Sequence, residues 1–489
     1  MIERIVSLTN IGRFENYKHK GSLYDRLPKN VVIYAENGSG KTTLSILFKS
    51  LKGDNTLLIR KQTFGTTTQQ EAKILIDGKL SYFTNGSWSI NIPELEIFDV
   101  HFIEDNLYVG SLSAETNKSN LFEYIVGKEG TRLSEINRIK EAEWSKLFHE
   151  QILLQNPPNA SLLRKHEKIK IYAALKKVKA KMRVLRPMLT ESRKELGIYT
   201  KQVFELHIAE INKQLSFFAP YIKVKRFANH TKKMLHQLSY YLRVNDTDIT
   251  FDLKGKAPSV KYSLSEGDKS AVALAFFLSK IYNSPNINEK VIIFDDPISS
   301  FDANRRNATI NQLQNFSSKV KQLIVLTHDI YFARDLKQRL PIDSLSLKLV
   351  RKSKSSVIVE HDIYRETLGG LFKDINTLSD FVKDGAESDE RKREVIRCIR
   401  PIIEGIIRIK YFDVVNKGEW LGDFIAKTRD SKVGDGFYAL KSHLGEITEL
   451  NEYSKHFHHS EPGCVAEAPV NESELYEYSR KTLELIKKI

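Results

Sequence analysis

Only two cysteines, Cys398 and Cys464, occur in 489 residues. A disulfide framework or a four-cysteine zinc site needs more than that. No run approaches the ~18–20 consecutive apolar residues of a bilayer span, so no membrane partner is expected. The opening MIERIVSLTNIGRF carries an acid early and lacks the small-residue cleavage site of an export signal. The expected location is the cytoplasm. Negative charge is also in short supply, with 61 Asp plus Glu against 76 Lys plus Arg and a formal charge of +15. At 41% apolar and 28% charged residues the composition is that of a folded chain, long enough for two to four domains.

The positive excess is local. Residues 161–200 hold twelve Lys or Arg and three Glu. Such a field attracts a polyanion, of which nucleic acid (tRNA or DNA) is the usual one; the plainer alternative is a solvated, lysine-rich helical arm. Residues 130–215 read as long, charged helix broken at Asn156-Pro157-Pro158, which predicts a short helical hairpin. No CxxC marks its tip, which excludes a zinc hook. On both sides of it, strands alternate with helices, the pattern of an α/β fold with a mainly parallel sheet. Strand character is expected to return at 247–263, and from Glu366 onward the chain reads as helical.

Ala35-Glu36-Asn37-Gly38-Ser39-Gly40-Lys41-Thr42 has the spacing of a phosphate-binding loop (Walker A) between a predicted strand and a predicted helix. Glycines let backbone N–H groups curl around a phosphate, and the helix N-terminus adds its positive dipole. Lys41 is expected on the β- and γ-phosphates and Thr42 on Mg²⁺, with Thr43 opening the helix beside them. Val291-Ile292-Ile293-Phe294-Asp295-Asp296 is an apolar run that ends in two carboxylates, as a buried parallel strand delivering acids to its C-terminal edge would. Asp295 is expected to hold the Mg²⁺ shell, and Asp296 to orient or deprotonate the attacking water. The alternative for DDPISS is a carboxylate-capped turn. ATP and Mg²⁺ are therefore the expected cofactors.

Leu264-Ser265-Glu266-Gly267-Asp268 precedes a predicted helix, and Thr327-His328-Asp329 ends the next predicted strand. With these strings the chain resembles the ATP-binding-cassette (ABC) ATPases of the SMC/Rad50 type over residues 1–110 and 250–345. The resemblance implies an ABC-ATPase head carrying the hairpin insertion, followed by an α-helical C-terminal domain. The implied domains are 1–130 (head, N-terminal lobe), 131–245 (helical insertion), 246–350 (head, C-terminal lobe) and 351–489 (helical effector or effector-docking domain). It also implies that Ser265 and Gly267 act in trans on nucleotide held by a second subunit, in a homodimer or higher oligomer. Ser300-Phe301-Asp302 matches the D-loop, and His328 matches the switch histidine at the γ-phosphate. The plain alternatives are a helix N-cap for Ser265 and a strand-end hydrogen bond for His328. Two departures stand out: Asp296 replaces the glutamate of many relatives, and no Q-loop glutamine is evident, with His101 or Asn106 as substitutes.

ENGSGKTTL, FDVHFIEDNL, LSEGDKSAVALAFFL, FDDPISSFDANR and LTHD are together similar to the phage-defence ATPases RloC, PrrC and PtuA (Septu). That resemblance implies an ATPase that senses infection and controls a toxic nuclease. The nuclease is either a separately encoded partner, as with PtuA, or the chain's own C-terminal domain cutting tRNA anticodon loops, as with PrrC and RloC. Arg400 and Glu404, four apart on one predicted helix face, look like the Arg–Glu pair of the anticodon nucleases. His458, or its neighbours His456 and His459, would then supply the histidine. Glu, His and Arg suit metal-free RNA cleavage as base, acid and phosphate-binding cation. An (i, i+4) Arg–Glu pair is also an ordinary helix-surface salt bridge. A third reading is a RecF/Rad50-like DNA-repair ATPase, to which the basic arm would contribute.

Overall fold

A computed structural model of the protein describes residues 1–21, 24–102, 114–157, 164–232, 235–249, 263–298, 301–353, 355–386, 388–455, 457 and 470–489. The chain divides into two units, Met1–His361 and Asp362–Ile489. In the first unit β1 (Ile2–Ile11) and β2 (Phe14–Lys18) form a hairpin, followed by β3 (Asn30–Ala35), α1 (Lys41–Ser50) and the short α2 (Thr56–Ile59). Then come β4 (Glu71–Ile76), β5 (Lys79–Thr84), β6 (Ser87–Trp88) and β7 (Leu95–Phe98). The insertion comprises α3 (Ala114–Gln155), α4 (Lys165–Phe218), β8 (Ile222–Lys232), β9 (Leu235–Val244) and β10 (Thr247–Ile249). The unit closes with α5 (Glu266–Tyr282), β11 (Val291–Asp295), α6 (Ala303–Ser317), β12 (Gln322–Thr327), α7 (Ile330–Arg339), β13 (Leu345–Lys352) and β14 (Ser355–Glu360).

The central sheet has the order β14-β13-β3-β12-β11-β7, parallel throughout except for the edge strand β14. Every residue of β3 and β12 is buried, as are Val291 to Phe294 of β11. Covered on both faces, such strands must be near-continuous apolar runs rather than alternating ones. A second, antiparallel sheet, β2-β1-β4-β5-β6, packs on this one and on α1, so that Ile5, Leu8, Leu47, Phe48, Ile74 and Ile324 share one core. The buried Gln322 amide bonds Ile2 N (2.8 Å) and Ile2 O (2.7 Å), tying the start of β1 to β12.

The hairpin is present. Gly127, at φ +65°, breaks α3, and the stretch beyond it runs beside α4. The 54 residues of α4 span about 80 Å at ~1.5 Å each. Val178, Met182, Leu185, Leu189, Leu196 and Thr200 recur on its buried seam. The helix ends at Phe218, but the insertion is not helical to residue 245 as its domain assignment implied: β8, β9 and β10 form a three-stranded antiparallel meander in the order β10-β9-β8. Ile222 and Val224 alternate with lysines in the way of a half-buried strand. Residues 250–262, where strand character was expected, lie outside the described residues. The central sheet also runs beyond residue 350, because β14 pairs with β13 from Lys352↔Ser355 to Leu347↔Glu360.

The second unit is helical: α8 (Ile363–Glu366), α9 (Gly370–Asp384), α10 (Asp389–Lys410), α11 (Leu421–Asp430), α12 (Leu444–Lys455) and α13 (Glu472–Lys488). Val395, Ile399, Ile402, Phe424, Leu450, Leu475 and Leu485 form its core. Among the described residues no helix is long and apolar enough to cross a membrane.

Candidate nucleotide site

The loop between β3 and α1 carries Glu36, Asn37 and Gly38 exposed and Ser39 and Gly40 buried. Ser39 folds the loop back on itself, donating from N (3.1 Å) and Oγ (2.6 Å) to Glu36 O. Gly40 sits at φ +107°, a left-handed backbone that favours glycine. A Cβ there would also lie 3.1 Å from Arg13 Cβ of the β1–β2 turn. Thr42 is exposed at the N-terminus of α1 and Thr43 is buried beneath it.

β11 lies two strands from β3, with β12 between them, and its end brings both acids to Lys41. Lys41 Nζ is 2.6 Å from Asp295 Oδ1 and also ion-pairs Asp296. All three side chains are at most 15% exposed. Burial pushes the Asp295 carboxyl up, only partly offset by Lys41 and a hydrogen bond from Ser45. Burial pushes Asp296 the same way, but Lys41 and His328 outweigh it and hold that carboxyl low. For Lys41 burial acts downward, and the two carboxylates more than reverse it. One ammonium shared between two carboxylates leaves an excess negative charge. That donor set, with the Thr42 hydroxyl, suits a small divalent cation.

Asp296 takes a left-handed backbone (φ +50°), which Asp and Asn tolerate better than most residues. The bend aims Oδ1 at the end of β12, where it accepts from His328 N (3.0 Å) and lies 2.9 Å from His328 Nδ1. The bend thus brings Asp296 and His328 together at the edge of the sheet. His101 is half-buried beside Asp99, whose Oδ1 accepts from Phe102 N (2.7 Å) and whose Oδ2 lies 3.6 Å from Lys49 Nζ. Asn106 falls outside the described residues.

Ser265 is the N-cap of α5, and Asp268 completes a capping box: Asp268 N donates to Ser265 Oγ (3.1 Å) and Ser265 N to Asp268 Oδ2 (3.2 Å). Gly267 lies in the first turn. Asp302 caps α6 by accepting from Arg305 N (2.9 Å), while Ser300 falls outside the described residues. Three residues that sequence reasoning missed join these loops. Arg305 donates to Asp268 Oδ1 (2.6 Å) and to Tyr221 OH (2.5 Å), and Tyr221 itself bonds Asp268. Arg306 ion-pairs Asp329, the residue after His328. The paired arginines of FDANRR, directly after the D-loop, were the available signal; Tyr221 had none.

In the second unit Arg400 Nε is 2.9 Å from Glu404 Oε1. Glu404 is buried, and the same oxygen accepts from Leu421 N (2.9 Å) at the start of α11. His456, His458 and His459 lie outside the described residues. Among the described residues no cluster of three or more His, Cys, Asp or Glu could hold a metal ion.

A family model described as an AAA domain (AAA_13) matches residues 157–461. The chain belongs to this AAA-domain family. The chromosomal cassette SCCmec type IVc protein CR006 of Staphylococcus aureus (strain MRSA252), itself uncharacterized, is 26% identical over 181 residues, 35% of this chain and 24% of that protein. The L-cystine transport system ATP-binding protein TcyN of Escherichia coli (strain K12) is 30% identical over 87 residues, 18% of this chain and 32% of that protein. The chain thus spans between a quarter and a third of these two relatives. A solved SMC head domain from Pyrococcus furiosus, bound to the C-terminal domain of ScpA, has a TM-score of 0.42 and 14% identity. It covers 77% of this chain and 99% of that one. The phosphate-loop and acidic-strand motifs in their sheet positions agree with the similarity to ATP-binding proteins of the ABC type.

Proposed function

We propose that the chain binds and hydrolyses ATP between two copies of itself, and that this closure controls a toxic nuclease in an antiviral (anti-phage) defence system. The observation that carries the ATP part is Lys41 held on Asp295 and Asp296 at the C-terminal edge of the central sheet. Lys41 and the loop N–H groups would bind the β- and γ-phosphates, and Thr42 and Asp295 would hold Mg²⁺. The metal would supply neutralisation of phosphate charge. Asp296, oriented by His328, would take a proton from the attacking water. Ser265 and Gly267 would serve the nucleotide of the second copy, and Arg305 and Arg306 would keep the three loops in step.

The trans arrangement is tested by mixing two inactive variants, Lys41→Ala and Ser265→Arg. A mixed pair contains one intact composite site, so ATPase activity returns on mixing. No recovery, or a rate per chain independent of protein concentration, overturns the dimeric site.

The control role rests on the similarity to RloC, PrrC and PtuA, and the preferred effector is a separately encoded partner nuclease. Glu404 favours this, since its carboxylate is committed to holding α11. One observation favours an intrinsic tRNA nuclease instead: Arg397 Nε donates to Phe457 O (3.2 Å), which ties Phe457 to the helix that carries Arg400 and Glu404. Expression of the chain alone separates the two. Harmless expression supports the partner, and toxicity with tRNA cleavage that is lost in Glu404→Gln supports the intrinsic nuclease.

A further inference from the structure

One face of α4 carries a row of like charge that the ATP cycle does not use. Lys165, Lys168, Tyr172, Lys176, Lys179, Arg183 and Arg186 follow one another at intervals of three and four, so they share one side of the helix. All seven are exposed, Tyr172 at 70%. The buried seam of Val178, Met182, Leu185 and Leu189 faces elsewhere. Glu167 is the one acid in residues 164–186, and its carboxylate accepts from Arg164 N (2.7 Å) at the helix start. Among the described residues none of the six cations is ion-paired. The cross-helix pair of the arm, Arg193 with Glu141, lies past the end of the row. Like charges three and four apart destabilise a helix, so the row calls for a counter-charge from outside the chain.

We infer that this row binds the backbone of a single-stranded polynucleotide, with Tyr172 stacking on a base. From Lys165 to Arg186 the row is straight and about 31 Å long at ~1.5 Å per residue. A strand of B-form duplex winds through nearly a full turn over about that distance (~34 Å). It cannot follow a straight row of cations, whereas an extended single strand can. An exposed aromatic amid cations is also how single strands are held without sequence preference, because every base offers a face to stack on. This site is separate from the proposed ATP switch.

The test uses the full chain without nucleotide and follows the fluorescence anisotropy of labelled oligo-dT, oligo-U and a mixed-sequence duplex, each of about 20 nucleotides per strand. Both single strands should bind more tightly than the duplex. The logarithm of affinity should fall against that of salt with a slope near −4, for about six phosphates neutralised. Lys176→Glu/Lys179→Glu/Arg183→Glu should flatten that slope by about 2, and Tyr172→Ala should cost about tenfold in affinity. Lys170→Glu/Lys177→Glu/Lys181→Glu makes the same change in charge on the other flank of α4, and should retain most of the binding. Circular dichroism confirms that both triple variants stay helical. Equal losses in the two triples, or a duplex that binds more tightly than the single strands, overturn the assignment. Lys41→Ala should bind these oligonucleotides like the wild type, so failure here is distinguishable from failure of the ATP site.

Discussion

Replacing Asp296 by Asn should strengthen ATP binding while it slows hydrolysis. Lys41 is held by both Asp295 and Asp296. Its ammonium must leave Asp296 before it can reach a phosphate. A hydrogen bond between charged groups contributes about 1.5–3 kcal/mol, and at 15% exposure solvent screens this one little. The neutral amide keeps roughly half of that, so about 0.8–1.5 kcal/mol less opposes binding, or a roughly four- to twelvefold lower Kd at ~1.4 kcal/mol per tenfold. Asn is the right replacement because it tolerates the +50° φ and can still accept from His328 N. Hydrolysis should fall by about 10²-fold or more with the proton acceptor gone. Titration with a fluorescent ATP analogue and Mg²⁺ gives the Kd, and single-turnover phosphate release gives the rate. An unchanged or higher Kd would refute the idea that Lys41 is held back by Asp296.

Glu404→Ala should leave Leu421 N without its acceptor and Arg400 without its partner, at a cost of about 2–4 kcal/mol. Glu404→Gln should cost much less, because it keeps an acceptor. Hydrogen exchange at α10 and α11 in the full chain reads the difference, and similar protection in both variants would contradict the buried role. His207 lies between Ser279 of α5 (Nδ1 to Oγ 2.8 Å) and Ile125 at the root of the hairpin. Burial, aided by the charge of Lys280, depresses its pKa to about 4. The unfolded imidazole titrates near ~6.5, so between these values only the unfolded chain takes up the proton. Stability is therefore intact above pH ~6.5 and declines as pH falls towards 4, by up to about 3 kcal/mol. Thermal melting between pH 7.5 and 5 should show a shallower loss in His207→Asn; identical acid limbs would argue against this assignment.

The edge that carries Lys41, Asp295 and Asp296 was legible because its strands are buried on both faces. VVIYA, VIIF and QLIVLT could only be interior parallel strands, and the acids and glycines that end them could only meet at one edge. The meander at 222–249 was not legible, since KVKRFANHTK mixes charge into both faces and has no long apolar run. Nor was the partner of Glu404. Periodicity pairs it with Arg400 on its own helix, whereas its contact with Leu421 N depends on how α11 returns to α10. The bonds of Tyr221 and Arg305 to Asp268 reach across 47 and 37 residues of sequence and arise only from packing.

β7 and β11 are side by side in the central sheet, from Leu95↔Val291 to Phe98↔Phe294, yet the arm and the meander all lie between them in sequence. Departure and return points are thus neighbours, and the excursion imposes no strain on either strand whatever its length. Closing a loop twice as long costs only about 0.6 kcal/mol more. The arm can therefore be extended, trimmed or exchanged while the edge that carries Lys41, Asp295 and Asp296 stays in register.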